Sequence, residues 1–179
     1  MPPVTACVRL NPSHSGEVVW GERIDPARLV VLNVPLPESE HRLQDIVLND
    51  GAESGTRELN NTKAPVFHEL AIWQRSKYSM FRVNIRTEDA SAQDILMEFC
   101  RSRKLGLDDW SSIRILCAEC SRGNPGSHDC GAIQEEGRRR FGLAAQTRKD
   151  AIAVLRDWKE SGDDAEFSDL EVVLNATVH

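Results

Sequence analysis

Hydrophobic and polar positions follow two regimes along the chain. From Phe81 onward, short alternating runs lead into stretches with apolar residues at i, i+1 and i+4. Ile95, Leu96 and Phe99 form one such triple, and Val154, Leu155 and Trp158 form the other. That spacing gathers apolar side chains on one stripe of an amphipathic helix. A capping candidate precedes each stretch, Thr87 or Thr147, whose hydroxyl can accept from an unpaired amide of the first turn. A polar, glycine-containing break follows each, at Gly106 and at residues 161–164, and strand patterns close them at residues 113–116 and 170–174. Upstream, alternating or wholly apolar runs fall at residues 6–10, 17–22, 29–34, 43–48 and 66–73, separated by turn signals such as Asn11-Pro12, Asp25-Pro26 and Asn49-Asp50-Gly51. They predict strands. Residues 49–65 are polar and are expected to form a loop.

The segments 81–116 and 141–174 are copies of one another. Phe81 and Thr87 recur as Phe141 and Thr147 at equal separation, and Trp110 and Ile113 recur as Phe167 and Leu170. Strand–helix–strand in tandem resembles the ferredoxin-like β-α-β-β-α-β superfold. The resemblance implies an antiparallel sheet with two helices on one face. The expected class is therefore α+β: a ferredoxin-like domain over residues 80–179, interrupted by a Cys-rich loop at 117–130, with residues 1–79 as a β-rich N-terminal extension. That superfold hosts many functions and implies none.

The length of 179 residues suits one domain, or a domain with an extension. The formal charge of −6 is spread evenly: residues 1–79 hold 8 basic and 10 acidic groups, and residues 80–179 hold 14 and 18. Neither half offers the basic stripe that nucleic-acid binding requires. A local patch exists at Arg138, Arg139 and Arg140, just after Glu135 and Glu136. No apolar run approaches the roughly 18 residues that span a bilayer. Residues 1–6 lack a basic segment followed by an apolar one, so a cytoplasmic protein is expected.

Five cysteines, Cys7, Cys100, Cys117, Cys120 and Cys130, are too unevenly placed for a disulfide framework. Cys117 and Cys120 form a Cys-x2-Cys pair whose two sulfurs can reach one ion. His128 and Cys130 follow a turn rich in Gly123, Pro125 and Gly126, and complete a tetrahedral donor set. A structural Zn2+ held by Cys117, Cys120, His128 and Cys130 would order that loop. Free thiols in a surface loop, or a redox pair at Cys117 and Cys120, are the competing assignments. A redox pair sits best at a helix N-terminus, and Gly123 and Pro125 oppose a helix there. Cys100 and Cys7 are expected in the core.

Met80–Ile85 resembles the first-strand signature of the RNA-recognition motif, and Arg140–Ala144 the start of its third. The resemblance implies that Phe81 and Phe141 stack on bases. It departs at Arg82, where the family has an apolar residue, and at Leu143 and Gln146, where aromatics stand. Packing of Phe81 and Phe141 inside the repeat is the alternative expectation. His14, His41 and His68 are scattered, with Glu40 and Glu69 adjoining two of them, and no triad order is legible. Trp20 and Trp73 suit either a core or an interface.

The expected function is a small intracellular, zinc-stabilised binding or regulatory module, non-catalytic, acting on a protein partner or a second copy of itself. The alternatives are nucleic-acid binding through the sheet and Arg138–Arg140, and a thiol enzyme at Cys117 and Cys120.

Overall fold

The computed structural model describes residues 4–14, 16–59, 62–87, 90–111, 139–162 and 165–176. They form two compact units that divide between Ser76 and Lys77. The first contains β1 (Val4–Arg9), β2 (Val18–Arg23), β3 (Arg28–Val31), β4 (Ile46–Asn49), β5 (Gly55–Leu59) and β6 (Thr62–Gln74). β1 to β4 pair in antiparallel succession, and β4 pairs with β6. β1 then pairs with β6 in parallel, Cys7 opposite Val66 and Arg9 opposite His68. This closes β1, β2, β3, β4 and β6 into a five-stranded barrel. The parallel seam follows from the odd count: strands that alternate direction around a ring of five bring the first and last together running the same way.

Period-two alternation fills the barrel. Ala6 and Val8 of β1 and Leu10 just after it point inward, with Val19, Leu29, Val31, Val47 and Phe67. Gly21 makes room for them, since a Cβ there would lie 2.2 Å from Leu29 Cδ2. Cys7 faces the other way, in a small outer cluster with Ala64 and Val66. Burial pushes its thiol pKa up, and nearby Arg57 only partly opposes this. The polar segment 49–65, expected as a loop, contains β5 and the start of β6. Residues 55–58 are exposed throughout, so they carry no alternation for a pattern to reveal.

The second unit contains β7 (Ser79–Arg86), α1 (Ala90–Ser102), β8 (Gly106–Asp109), β9 (Arg139–Ala145), α2 (Arg148–Glu160) and β10 (Glu166–Leu174). Its sheet runs β10-β7-β9-β8 with every neighbour antiparallel. Phe81, Val83 and Ile85 of β7 and Phe141, Leu143 and Ala145 of β9 share one core with Leu96, Cys100, Val154, Leu155 and Trp158. The Trp158 indole N–H donates to Ala92 O at 2.6 Å, tying α2 to α1. Burial drives the Cys100 thiol pKa up to about 12 against the pull of Arg103. In α2 all three pattern residues are buried, whereas in α1 Ile95 is exposed and the stripe runs through Leu96, Phe99 and Cys100. Gly106 begins β8 rather than breaking the chain, and the strand expected at residues 113–116 lies outside the described residues.

The expected fold class is corrected by this architecture. The described residues are 47% strand and 21% helix, with a closed barrel, a second sheet and two helices only. The chain is mostly β and not an α+β ferredoxin-like repeat with an extension. Residues 1–79 were expected to be the extension, yet six of the ten strands lie there and enclose a core of their own. Among the described residues, no helix is long and apolar enough to cross a membrane.

Thr147 caps α2: its Oγ1 accepts from the Asp150 amide at 3.1 Å and donates to the Asp150 carboxylate at 2.6 Å. Thr147→Ala is expected to lower stability by about 1 kcal/mol, read from denaturant unfolding. An unchanged midpoint would mean that the cap contributes nothing.

Candidate functional site

The densest buried polar chemistry lies at one end of the barrel. β3 and β4 are joined by a loop, residues 32–45, whose Val34 and Leu43 are buried. A 3-10 turn at Pro37–Ser39 starts from Leu36, whose amide donates to Glu17 Oε2 at 2.9 Å. The turn delivers the His41 ring, 2% exposed, against Glu69 of β6, 8% exposed. Strand alternation turns Glu69 inward, two residues after Phe67. His41 Nε2 lies 2.6 Å from Glu69 Oε1, and Nδ1 lies 2.5 Å from the main-chain oxygen of Ser39. Asn11 completes the cluster: its amide donates to Glu69 Oε2 at 2.9 Å and its Nδ2 to Ser39 O at 2.9 Å. Burial raises the Glu69 pKa, but hydrogen bonds from His41 and the Asn11 amide and the charges of His41 and Arg75 outweigh it and hold the carboxyl below its ordinary value.

Beside this pair lies Asp45, fully buried. It accepts from the Ser76 amide at 2.7 Å, the Arg42 amide at 3.0 Å and Arg75 Nη1 at 3.1 Å. Arg75 also donates to Glu40 O. A buried carboxylate persists only when its oxygens are satisfied in this way. The chemistry available is limited: both His41 nitrogens are engaged, and Ser39 meets the ring through its carbonyl, while its hydroxyl donates to Leu36 O. The cluster lacks a free base next to a nucleophile.

A second feature lies on the outer wall of the same barrel. Leu29, Val31 and Val47 face inward, so Val30, Ile46 and Leu48 face outward. Val30 pairs with Ile46, and Leu48 with Ala71. The ladder between β4 and β6 slips twice: Ile46 meets Gln74 but Val47 meets Ile72, and Leu48 meets Ala71 but Asn49 meets Glu69. The residues passed over are Trp73 and Leu70. Bulges of this kind re-aim a side chain, and Trp73 is 58% and Leu70 67% exposed. The Arg28 guanidinium sits 5.8 Å from the Trp73 ring centre and is held at 2.6 Å by Asp25.

The residues singled out in the sequence are placed as follows. Cys117, Cys120, His128, Cys130 and Arg138 lie outside the described residues. Among the described residues, no group of three or more His, Cys, Asp or Glu could hold a metal ion, so the metal-binding expectation finds no support there. Phe81 and Phe141 are 1% and 2% exposed and belong to the core, so neither offers a ring to a base. Arg139 reaches Gln93 at 3.1 Å and Asp109 at 3.7 Å. In the sequence His41 is a histidine between two runs and Glu69 a glutamate inside another, with nothing to join them. Glu69 adjoins His68 in sequence, but neighbours in a strand face opposite ways.

No family model matches the chain, and the search of curated proteins gives no significant match. Among solved structures, the chain is similar to a hypothetical protein from Neisseria gonorrhoeae at 11% identity, over 99% of each chain, with a TM-score of 0.39. A likeness at that level assigns neither fold nor function to this chain.

Proposed function

We propose that the protein is a small binding or regulatory module that acts through contact with another protein and has no catalytic centre of its own. The observation that carries this is Trp73, put forward by a bulge onto an apolar outer wall of the barrel and 58% exposed. Tryptophan and arginine are the residue types that most often dominate protein contacts, and Arg28 beside Trp73 supplies the second. Cys7 and Cys100 are free thiols, a state that fits action in the cytoplasm, where thiols stay reduced. The nucleic-acid reading is not favoured, since Phe81 and Phe141 are buried.

A photo-crosslinking amino acid at position 73, compared with the same group at exposed Glu58 on β5, tests the reading in cells. The expected result is a discrete protein adduct at 73 that is absent at 58. Adducts of equal yield at both positions would overturn it. An adduct of twice the chain's mass would identify the partner as a second copy.

A further inference from the structure

We propose that His41 and Glu69 form a proton-operated latch that holds the loop of residues 32–45 over the barrel mouth. The Ser39 main-chain oxygen carries no hydrogen, so His41 Nδ1, 2.5 Å away, donates to it. Nε2 meets a carboxylate at 2.6 Å that also accepts from the Asn11 amide. Each of the two contacts therefore takes one hydrogen, on Nδ1 toward Ser39 O and between Nε2 and Glu69 Oε1. Removing one proton leaves a nitrogen lone pair facing an oxygen, which is repulsive.

The loop itself pulls the other way. Glu40 and Gln44 hold φ of 58° and 65°, a left-handed conformation that costs free energy for a side chain of this kind and persists only under constraint. The latch supplies part of that constraint, together with the Leu36 amide on Glu17 and Asn11 Nδ2 on Ser39 O. The titratable and charged groups about the ring are Glu69 and Arg75, on and just after β6, and Glu40, Arg42 and Asp45 in the loop. Neutral Asn11 comes from the end of β1.

The latch responds to pH through Glu69. The Glu69 carboxyl is held below its ordinary value, so its contribution is complete above the usual carboxylate range. That contribution is lost as pH falls through the folded-state value. The loop is thus held most firmly above that value.

The test is amide exchange, corrected for intrinsic rates, at Leu36, Ser39, His41 and Gln44, with Val8 and Val47 as barrel references. Loop protection is expected to fall roughly tenfold or more as pH drops through the Glu69 transition while the barrel amides hold. Glu69→Gln keeps the shape and removes the titrating carboxyl, so the acid loss disappears. Loop protection that does not change with pH would overturn the latch. So would an acid loss that persists unchanged in Glu69→Gln.

Discussion

His41→Ala is expected to lower the stability of the barrel unit by about 3 to 5 kcal/mol, the usual cost of removing one partner of a buried ion pair. The loss exceeds the few atoms removed, because the Glu69 carboxylate stays behind, 8% exposed, with the Asn11 amide as its remaining close donor. The acid side of the stability curve should move as well. The His41 hydrogen bond is the strongest influence lowering the Glu69 pKa, while burial raises it. Without His41 the carboxyl takes up a proton at higher pH, so the variant's stability falls less steeply toward acid than the parent's, and the difference between them narrows as pH drops. Denaturant unfolding at several pH values reads both effects. A variant that unfolds within a few tenths of a kcal/mol of the parent at neutral pH, with the same acid limb, would show that the pair is not formed. Glu69→Gln is expected to cost much less, because the amide still hydrogen-bonds the ring and leaves no buried charge.

The second large effect is expected in the other unit. A Cβ built on Gly142 of β9 lies 2.1 Å from Trp110 Cε2 and 2.2 Å from Cζ2. Trp110 is 7% exposed, so its ring has little room to yield. Gly142→Ala should cost about 3 kcal/mol, the upper part of the usual range for overpacking, and Gly142→Val more. The cause can be isolated with Trp110→Leu, a smaller side chain: the double variant with Gly142→Ala should cost less than the sum of the singles. Strict additivity in that cycle would show that Trp110 does not lie on Gly142.

These two sites differ in how much of them a sequence can reveal. The α2 helix is legible from Thr147, Val154, Leu155 and Trp158, because capping and a 3.6-residue period are local. In α1 the same kind of triple is misplaced by one residue: Ile95 begins the apolar run but faces water, and Cys100 takes its place in the core. The inward strands of the barrel also show their alternation, whereas β5 shows none because residues 55–58 are all exposed. Barrel closure has no local signature at all. It depends on Cys7 meeting Val66, a parallel pairing because the strand count is odd. That seam is what turns residues 1–79 from an expected extension into a unit with its own core. His41 and Glu69 were hidden for the same reason, since 28 positions separate them and only closure makes them neighbours. Trp110 shows in the sequence only as the counterpart of Phe167, and its role as a cover for Gly142 needs the cross-strand register of β8 and β9.

The parallel seam of the barrel also bears on how the chain is made. During synthesis β1 leaves the ribosome first, and its partner on the open side, Val66 to His68, follows only after every other barrel strand has appeared. Until then the sheet of β1 to β4 has two bare strand edges, that of β1 and that of β4, both of which β6 later covers. Such edges are templates for pairing with other chains. Slow passage through residues 50–65 is expected to lengthen that interval and the exposure of those edges.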